Sequence, residues 1–122
     1  MKSKRKKPFA ANNASVKKME AEGWIVATVE QRIPHTFITR DVWNFADLLV
    51  CSPTRGIMLI QVTGGSGKSN FNARVKKIKA EPRHALWLAS GGRIQVHSWE
   101  GKGNNRECRV LEITSYENNN TD

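Results

Sequence analysis

The stretch Ile57-Met58-Leu59-Ile60-Gln61-Val62-Thr63 constrains the fold more than any other part of the chain. It is apolar almost without a break, interrupted only by Gln61 before it closes on Thr63. A strand with one wet face alternates polar and apolar residues, whereas a continuous run requires cover on both faces. The stretch therefore reads as a central strand, and the rest of the chain must supply neighbouring strands and two covering layers. Just upstream, Phe45 to Cys51 reads as a second, mostly apolar strand. Ser52-Pro53-Thr54-Arg55-Gly56 between them is a turn signal.

The remaining elements follow from punctuation and periodicity. Residues 1–14 are basic and then Asn- and Ala-rich, which predicts a disordered tail. Ser15 is placed to cap a short helix through Glu22, with Val16 and Met19 on one face and Gly23 as its stop. Trp24 to Val29 reads as a strand, and Thr36 to Arg40, beyond Pro34, as a short extended piece. After the loop Gly64 to Ser69, Asn70 to Ala80 reads as a helix with Phe71, Val75 and Ile78 as its apolar stripe, ended by Pro82. His84 to Ala89, Arg93 to Trp99 and Glu107 to Thr114 read as three further strands. Residues 117–122 read as a polar, disordered tail. The order α-β-β-β-α-β-β-β predicts a mixed sheet flanked by helices, an α/β or α+β class, in one domain over 15–116.

Charge narrows the partners. Twenty Lys and Arg against eleven Asp and Glu give +9 in 122 residues. Five of the basic residues lie in the first eight positions, and without them fifteen still face eleven. Such an excess favours phosphate backbones, and the competing reading is a solvated tail. No apolar run approaches the ~20 residues that span a bilayer, and the charged N-terminus is not followed by the apolar segment of a secretory signal. Cys51 and Cys108 have no metal-ligand spacing and read as buried free thiols of a reducing cytosol. His35, His84 and His97 read as structural, and Trp43 and Trp87 as core.

The two apolar strands, joined by residues 52–56, suggest a specific register. Cys51 can oppose Gly56 or Ile57; in the second case every cross-strand pair sums to 108 and Asp47 faces Gln61. Opposed residues share a face with Cβ atoms ~5 Å apart. Thr63 lies on that face too, because side chains alternate with period two. An acid and an amide would then converge where each interrupts an apolar run, which is costly unless they are paired or bind a ligand. Gly67-Lys68-Ser69 between a strand and a helix imitates a phosphate-binding P-loop, but that pattern requires Gly five residues before Gly67, and position 62 is Val.

Asp47 on one strand, Gln61-Val62-Thr63 on the next, and the basic helix Ala73-Arg74-Val75-Lys76-Lys77-Ile78 together resemble the core of PD-(D/E)XK nucleases. With Arg40-Asp41-Val42-Trp43-Asn44-Phe45-Ala46-Asp47-Leu48-Leu49 included, the chain is similar to small phage and bacterial Holliday-junction-resolvase-like proteins over about residues 15–100. The resemblance implies a restriction-endonuclease-like core and a deoxyribonuclease that hydrolyses DNA phosphodiester bonds at junctions or branches. It implies Mg²⁺ (or Mn²⁺) as cofactor, DNA as partner, a homodimer, no membrane, and the cytoplasm of a bacterium or phage-infected host.

By the same resemblance Asp47 is the metal-binding acid. Gln61 stands at the second acid position, Thr63 where a catalytic lysine is usual, and Glu30 is an additional upstream acid, with Asp41 its rival. Metal ligation would fall to Asp47, Gln61 and Glu30, and nucleic-acid binding to Arg40, Lys68, Arg74, Lys76 and Lys77. Two departures bear on the chemistry: Gln61 brings an oxygen without charge, and Thr63 brings no cation. The alternative function is a catalytically degenerate binder of nucleic acid. Residue by residue, the plainer readings are Asp47 as a cap or partner of Arg40, Gln61 as a satisfied core amide, Glu30 as a surface ion-pair residue, and Lys76-Lys77-Lys79 as a solvated helix face.

Overall fold

The computed structural model describes residues 9–36, 38–64 and 68–114. The basic run at the N-terminus, the glycines of the Gly67-Lys68-Ser69 loop and the polar tail over 117–122 lie outside them. Helix α1 (Ala11–Ala21) precedes strands β1 (Ile25–Thr28), β2 (Gln31–Arg32), β3 (Thr39–Arg40), β4 (Leu48–Ser52) and β5 (Gly56–Thr63). Helices α2 (Lys68–Ala80) and α3 (Pro82–Ala89) then lead to β6 (Arg93–Glu100), a short 3₁₀ turn (Gly103–Asn105) and β7 (Glu107–Ile113). Five strands form one sheet in the order β1-β4-β5-β6-β7, and β2 and β3 pair separately as a small ribbon. The β5–β6 pair is parallel and the other pairs of the large sheet are antiparallel. The fold is thus a mixed α+β sheet covered by helices. Among the described residues no helix is long and apolar enough to cross a membrane.

β5 occupies the centre, and every residue from Met58 to Thr63 is buried. Its even-numbered side chains, Met58, Ile60 and Val62, join Met19, Trp24, Leu48 and Val50 in the layer under α1. Leu59 joins Phe45, Phe71, Ile78, Ile94, Val96 and Ile113 in the layer under α2 and α3. Period two assigns Gln61 and Thr63 to this second face. The β4–β5 register is Leu48 opposite Ile60 and Cys51 opposite Ile57, the second of the two that the turn over 52–56 allows. The ladder ends there, and the Asp47 N–H donates to the Ile60 carbonyl at 2.8 Å, one residue out of that register.

Four local expectations are corrected. His84 to Ala89 is helix, not strand. Pro82 does end α2, but it also starts α3: Glu81 is the N-cap and its carboxylate accepts from the Arg83 N–H, while Pro at the first helical position needs no acceptor. Helix α1 starts at Ala11, inside the stretch expected to be disordered, and Ser15 is a fully buried residue of its middle rather than its cap. Its hydroxyl lies 2.8 Å from His97 Nδ1 and accepts from Trp99 Nε1 at 2.8 Å, so tertiary partners hold it. Cys51 and Cys108 are free thiols, but half-buried rather than buried.

The other terminal details are smaller. Phe45 to Asp47 precede β4 in a turn, in which Val42 bridges Ala46 and both Trp43 (φ 52°) and Asn44 (φ 67°) are left-handed. Gly92 admits no side chain, because a Cβ there would stand 2.1 Å from Trp87 Cε2. Trp87 is fixed in that position by donating Nε1–H to the Arg93 carbonyl at 2.8 Å.

Candidate functional site

The site begins where a hairpin runs out of partner. Ladder pairing between β4 and β5 ends at Leu48 and Ile60, and the Val62 N–H is taken by a side chain instead. Asp47 Oδ2 accepts from Val62 N at 2.8 Å and from Gln61 Nε2 at 3.0 Å. Both residues are almost fully buried, Asp47 at 5% and Gln61 at 2% exposure. The expected convergence of positions 47 and 61 is therefore present as a hydrogen bond between their side chains, and little of either is exposed.

The pair is incompletely satisfied. Gln61 gives its amide hydrogens to Asp47 and, at 3.3 Å, to the Val62 carbonyl. Its Oε1 is buried and meets no donor among the described residues. Arg74, on the facing side of α2, likewise has a buried Nε–H without an acceptor among them. Burying a polar atom unpaired costs roughly 1–3 kcal/mol, so each of these atoms, like the buried His84 Nε2, calls for a partner such as a solvent molecule.

Electrostatics mark the same spot. The Asp47 carboxyl is raised from 3.8 to about 6. Burial is the main cause, opposed by the Val62 N–H. The nearby charges of Glu30 and Asp41 raise it further, and Arg74 lowers it. An acid whose ionised form is disfavoured by desolvation and by two like charges gains from any cation brought beside it.

The other predicted positions fall around this centre. Thr63 is buried, and its Oγ1 accepts from Asn70 Nδ2 at 2.9 Å. Glu30 lies between β1 and β2, exposed, accepting from Asn12 Nδ2 at 2.8 Å, and it acts on Asp47 through its charge. Asp47 is the cap of a backbone N–H, as its plainer reading had it, but Arg40 is not among its described partners. Arg40 is exposed on β3, and Lys76 and Lys77 are exposed on α2. Lys68 opens α2, with its side chain outside the described residues. Among the described charges Arg74 is the cation that acts on Asp47.

Asn70 was not singled out from the sequence, although the signal is there: Asn70, Arg74 and Lys77 repeat the 0, +4, +7 spacing of Phe71, Val75 and Ile78 one position earlier. They form a polar stripe running along α2 beside its buried one.

Next to the centre lies a groove of about 530 Å³. Thr39, Asp41, Trp43 and Asn44 line it from β3 and the following turn, and Lys77 and Glu81 from the end of α2. Trp43 is half-buried, with its ring edge-on to Trp87 at 6.0 Å. The histidines take structural places: His97 is fully buried between Ser15 and Gln95, and His84 holds the Glu81 carbonyl through Nδ1 at 2.9 Å.

Among the described residues no three His, Cys, Asp or Glu side chains gather closely enough to hold a metal ion by themselves. A cation at Asp47 would have to draw on the carboxylate, the Gln61 carbonyl oxygen, water and a bound anion. That donor set suits Mg²⁺, which takes all-oxygen coordination, keeps several waters and commonly uses one or two carboxylates plus substrate phosphate. No known family model matches the chain, and a search of characterised proteins finds no match.

Proposed function

We propose that this protein is a divalent-metal-dependent deoxyribonuclease of the PD-(D/E)XK type, hydrolysing DNA phosphodiester bonds at the Asp47 centre. The observation that carries the reading is the buried Asp47 carboxyl, raised to about 6, with two unpaired buried groups on residues that act on it: Gln61, whose Oε1 meets no donor among the described residues, and Arg74, whose Nε–H meets no acceptor among them. An acceptor without a donor suits a cation, and a donor without an acceptor suits an anion. A metal ion with a coordinated phosphate supplies both at once. The helix before the antiparallel β1-β4-β5 run, and the helical crossover from β5 to the parallel β6, agree with a restriction-endonuclease-like core.

In this reading Asp47 and Gln61 hold the cation, and Glu30 contributes charge from outside. Gln61 now turns its amide hydrogens toward Asp47, so half a rotation of the amide is needed to present Oε1. That rotation gives up the two hydrogen bonds of Nε2, to Asp47 and to the Val62 carbonyl, in exchange for coordination through Oε1. The bound metal supplies a more acidic water and neutralises charge on the phosphate. Arg74 holds a phosphate oxygen, and burial excludes competing water and strengthens that contact. Asn70 fixes the Thr63 hydroxyl at the edge of the site. Lys77, Lys76 and Arg40 extend the cationic path along which the backbone lies.

DNA in branched or junction form, a homodimer, and a bacterial or phage-infected cytoplasm belong to this proposal. A homodimer would use the apolar residues Ile25, Leu49, Cys51 and Ile57 beside β1, the edge strand of the sheet.

A second reading, a binder that does not cut, is favoured by the engagement of Thr63 with Asn70 at the position where a lysine would be needed. Incubating the protein with duplex, single-stranded and four-way-branched DNA, with Mg²⁺ or with EDTA, separates the two. The nuclease reading expects Mg²⁺-dependent products that Asp47→Asn abolishes while binding survives. Salt-sensitive binding without any metal-dependent product would select the second reading.

A further inference from the structure

The groove beside the Asp47 centre has the wrong lining for a simple phosphate site and the right one for a nucleobase. A phosphate pocket avoids carboxylates, yet Asp41 lines this groove, alongside a Glu81 whose two oxygens are held by Arg83. Alongside them are an indole, an amide, a hydroxyl and an ammonium group, from Trp43, Asn44, Thr39 and Lys77. An aromatic plane offers a stacking surface to any base. Carboxylate and amide oxygens accept from exocyclic amines and ring N–H groups, and the ammonium group serves a neighbouring phosphate. The volume, about 530 Å³, lies within the range of small-ligand sites.

Backbone geometry gives the tryptophan its place. Trp43 and Asn44 are consecutive left-handed residues, a conformation that L-residues other than Asn rarely adopt. The turn is closed by the Val42–Ala46 bridge and wedged by Trp87 under the indole edge. This brings the indole to the groove instead of burying it whole, so the core assignment of Trp43 is half right. The Arg83 guanidinium stands 5.8 Å from the centre of its ring, a cationic neighbour suited to both the indole and nucleic acid.

The groove and the proposed centre share helix α2. Lys77 lies three residues beyond Arg74 on α2, about 4.5 Å along the helix axis. The charge of Asp41 is felt at Asp47. We propose that the groove receives the unstacked base of a DNA nucleotide adjacent to the phosphate held by Arg74, with Trp43 as its stacking face and Lys77 on the next phosphate. This rests on the nuclease reading for the position of the first phosphate. It adds a preference for DNA with an unpaired nucleotide beside the cut, since a base held in a duplex stack cannot enter.

The test uses full-length protein in EDTA and fluorescein-labelled branched and single-stranded DNA, with one abasic site moved along the strand. Binding is read by anisotropy. The wild type is expected to lose about tenfold in affinity at one abasic position, within the range for one stacked base. In Trp43→Leu that positional loss should vanish, whereas Lys77→Gln should weaken all the DNAs alike. If Trp43→Leu does not fold, 2-aminopurine at the sensitive position gives the answer in the wild type, where stacking on the indole quenches its emission. A flat abasic profile, an unchanged profile in Trp43→Leu, or unquenched 2-aminopurine would overturn the groove assignment. Cleavage with Mg²⁺ alongside a flat profile overturns the groove alone, and a sharp profile without cleavage upholds the groove and removes the nuclease reading.

Discussion

Replacing Asp47 by Asn should stabilise the protein while disabling it. At pH 8 the carboxylate is ionised in a site that raises its pKa from 3.8 to about 6. At ~1.4 kcal/mol per tenfold change, the ionised side chain costs the folded state about 3 kcal/mol relative to the neutral one. Asn is neutral and nearly isosteric, and its Oδ1 can accept from Val62 N–H and Gln61 Nε2 as Asp47 Oδ2 does. Because hydrogen bonds to a neutral acceptor are weaker, the net gain should be about 2 kcal/mol, or roughly 10 °C in Tm for a domain of this size.

The pH dependence has a definite sign. A carboxyl raised in the folded state contributes stability that is complete below pH 3.8 and is lost as pH rises through about 6. His97 runs the other way. Burial chiefly, and then the charge of Lys18, lower it from 6.5 to about 4, so its contribution is complete above pH 6.5 and is lost as pH falls toward 4. Across pH 4 to 6 the two slopes oppose each other in the wild type, and Asp47→Asn leaves the slope of His97 exposed. Urea unfolding of both proteins from pH 4 to 8 isolates Asp47 as the difference. The gain should be largest at pH 8 and near zero at pH 4. A variant less stable than wild type at pH 8, or a gain that does not change with pH, would refute the reasoning.

The remaining predictions concern other parts of the molecule. Ser15→Ala removes the hydroxyl shared by His97 and Trp99 and should cost about 2 kcal/mol in urea unfolding at pH 7, with both ring nitrogens left unpaired. Gly92→Ala forces a methyl group into Trp87 and should cost more than about 3 kcal/mol, seen as loss of soluble protein or a collapsed Tm. Lys76→Gln with Lys77→Gln should reduce the slope of log affinity for DNA against log salt by about 2, measured by anisotropy between 50 and 200 mM salt.

The hairpin that forms the site was legible because three local signals agreed. The turn residues placed the loop, the apolar run marked the central strand, and one of the two registers left open brought the Asp47 and Gln61 side chains together. The stripe of α2 was legible for the same reason. What the chain concealed depended on distant partners. Ser15 has the chemistry of a cap, and only the approach of β6 shows that His97 and Trp99 occupy its hydroxyl. The segment after Pro82 is rich in apolar residues over a length that suits either a strand or a short helix. Glu81 capping the Arg83 N–H decides between them. The left-handed Trp43 could not be read locally, because its conformation opposes residue preference and is held by the Val42–Ala46 bridge and by Trp87. The half-satisfied state of Gln61 is also a tertiary fact, since an amide opposite an acid reads equally well as fully paired.

Crystals equilibrated with Mn²⁺ and measured at its absorption edge test the metal assignment most directly. One anomalous peak is predicted at coordination distance, about 2 Å, from the Asp47 carboxylate and from a rotated Gln61 Oε1, and it should be lost in Asp47→Asn. Saturating Mn²⁺ that leaves no peak there, with the Gln61 amide still donating to Asp47, would contradict the account.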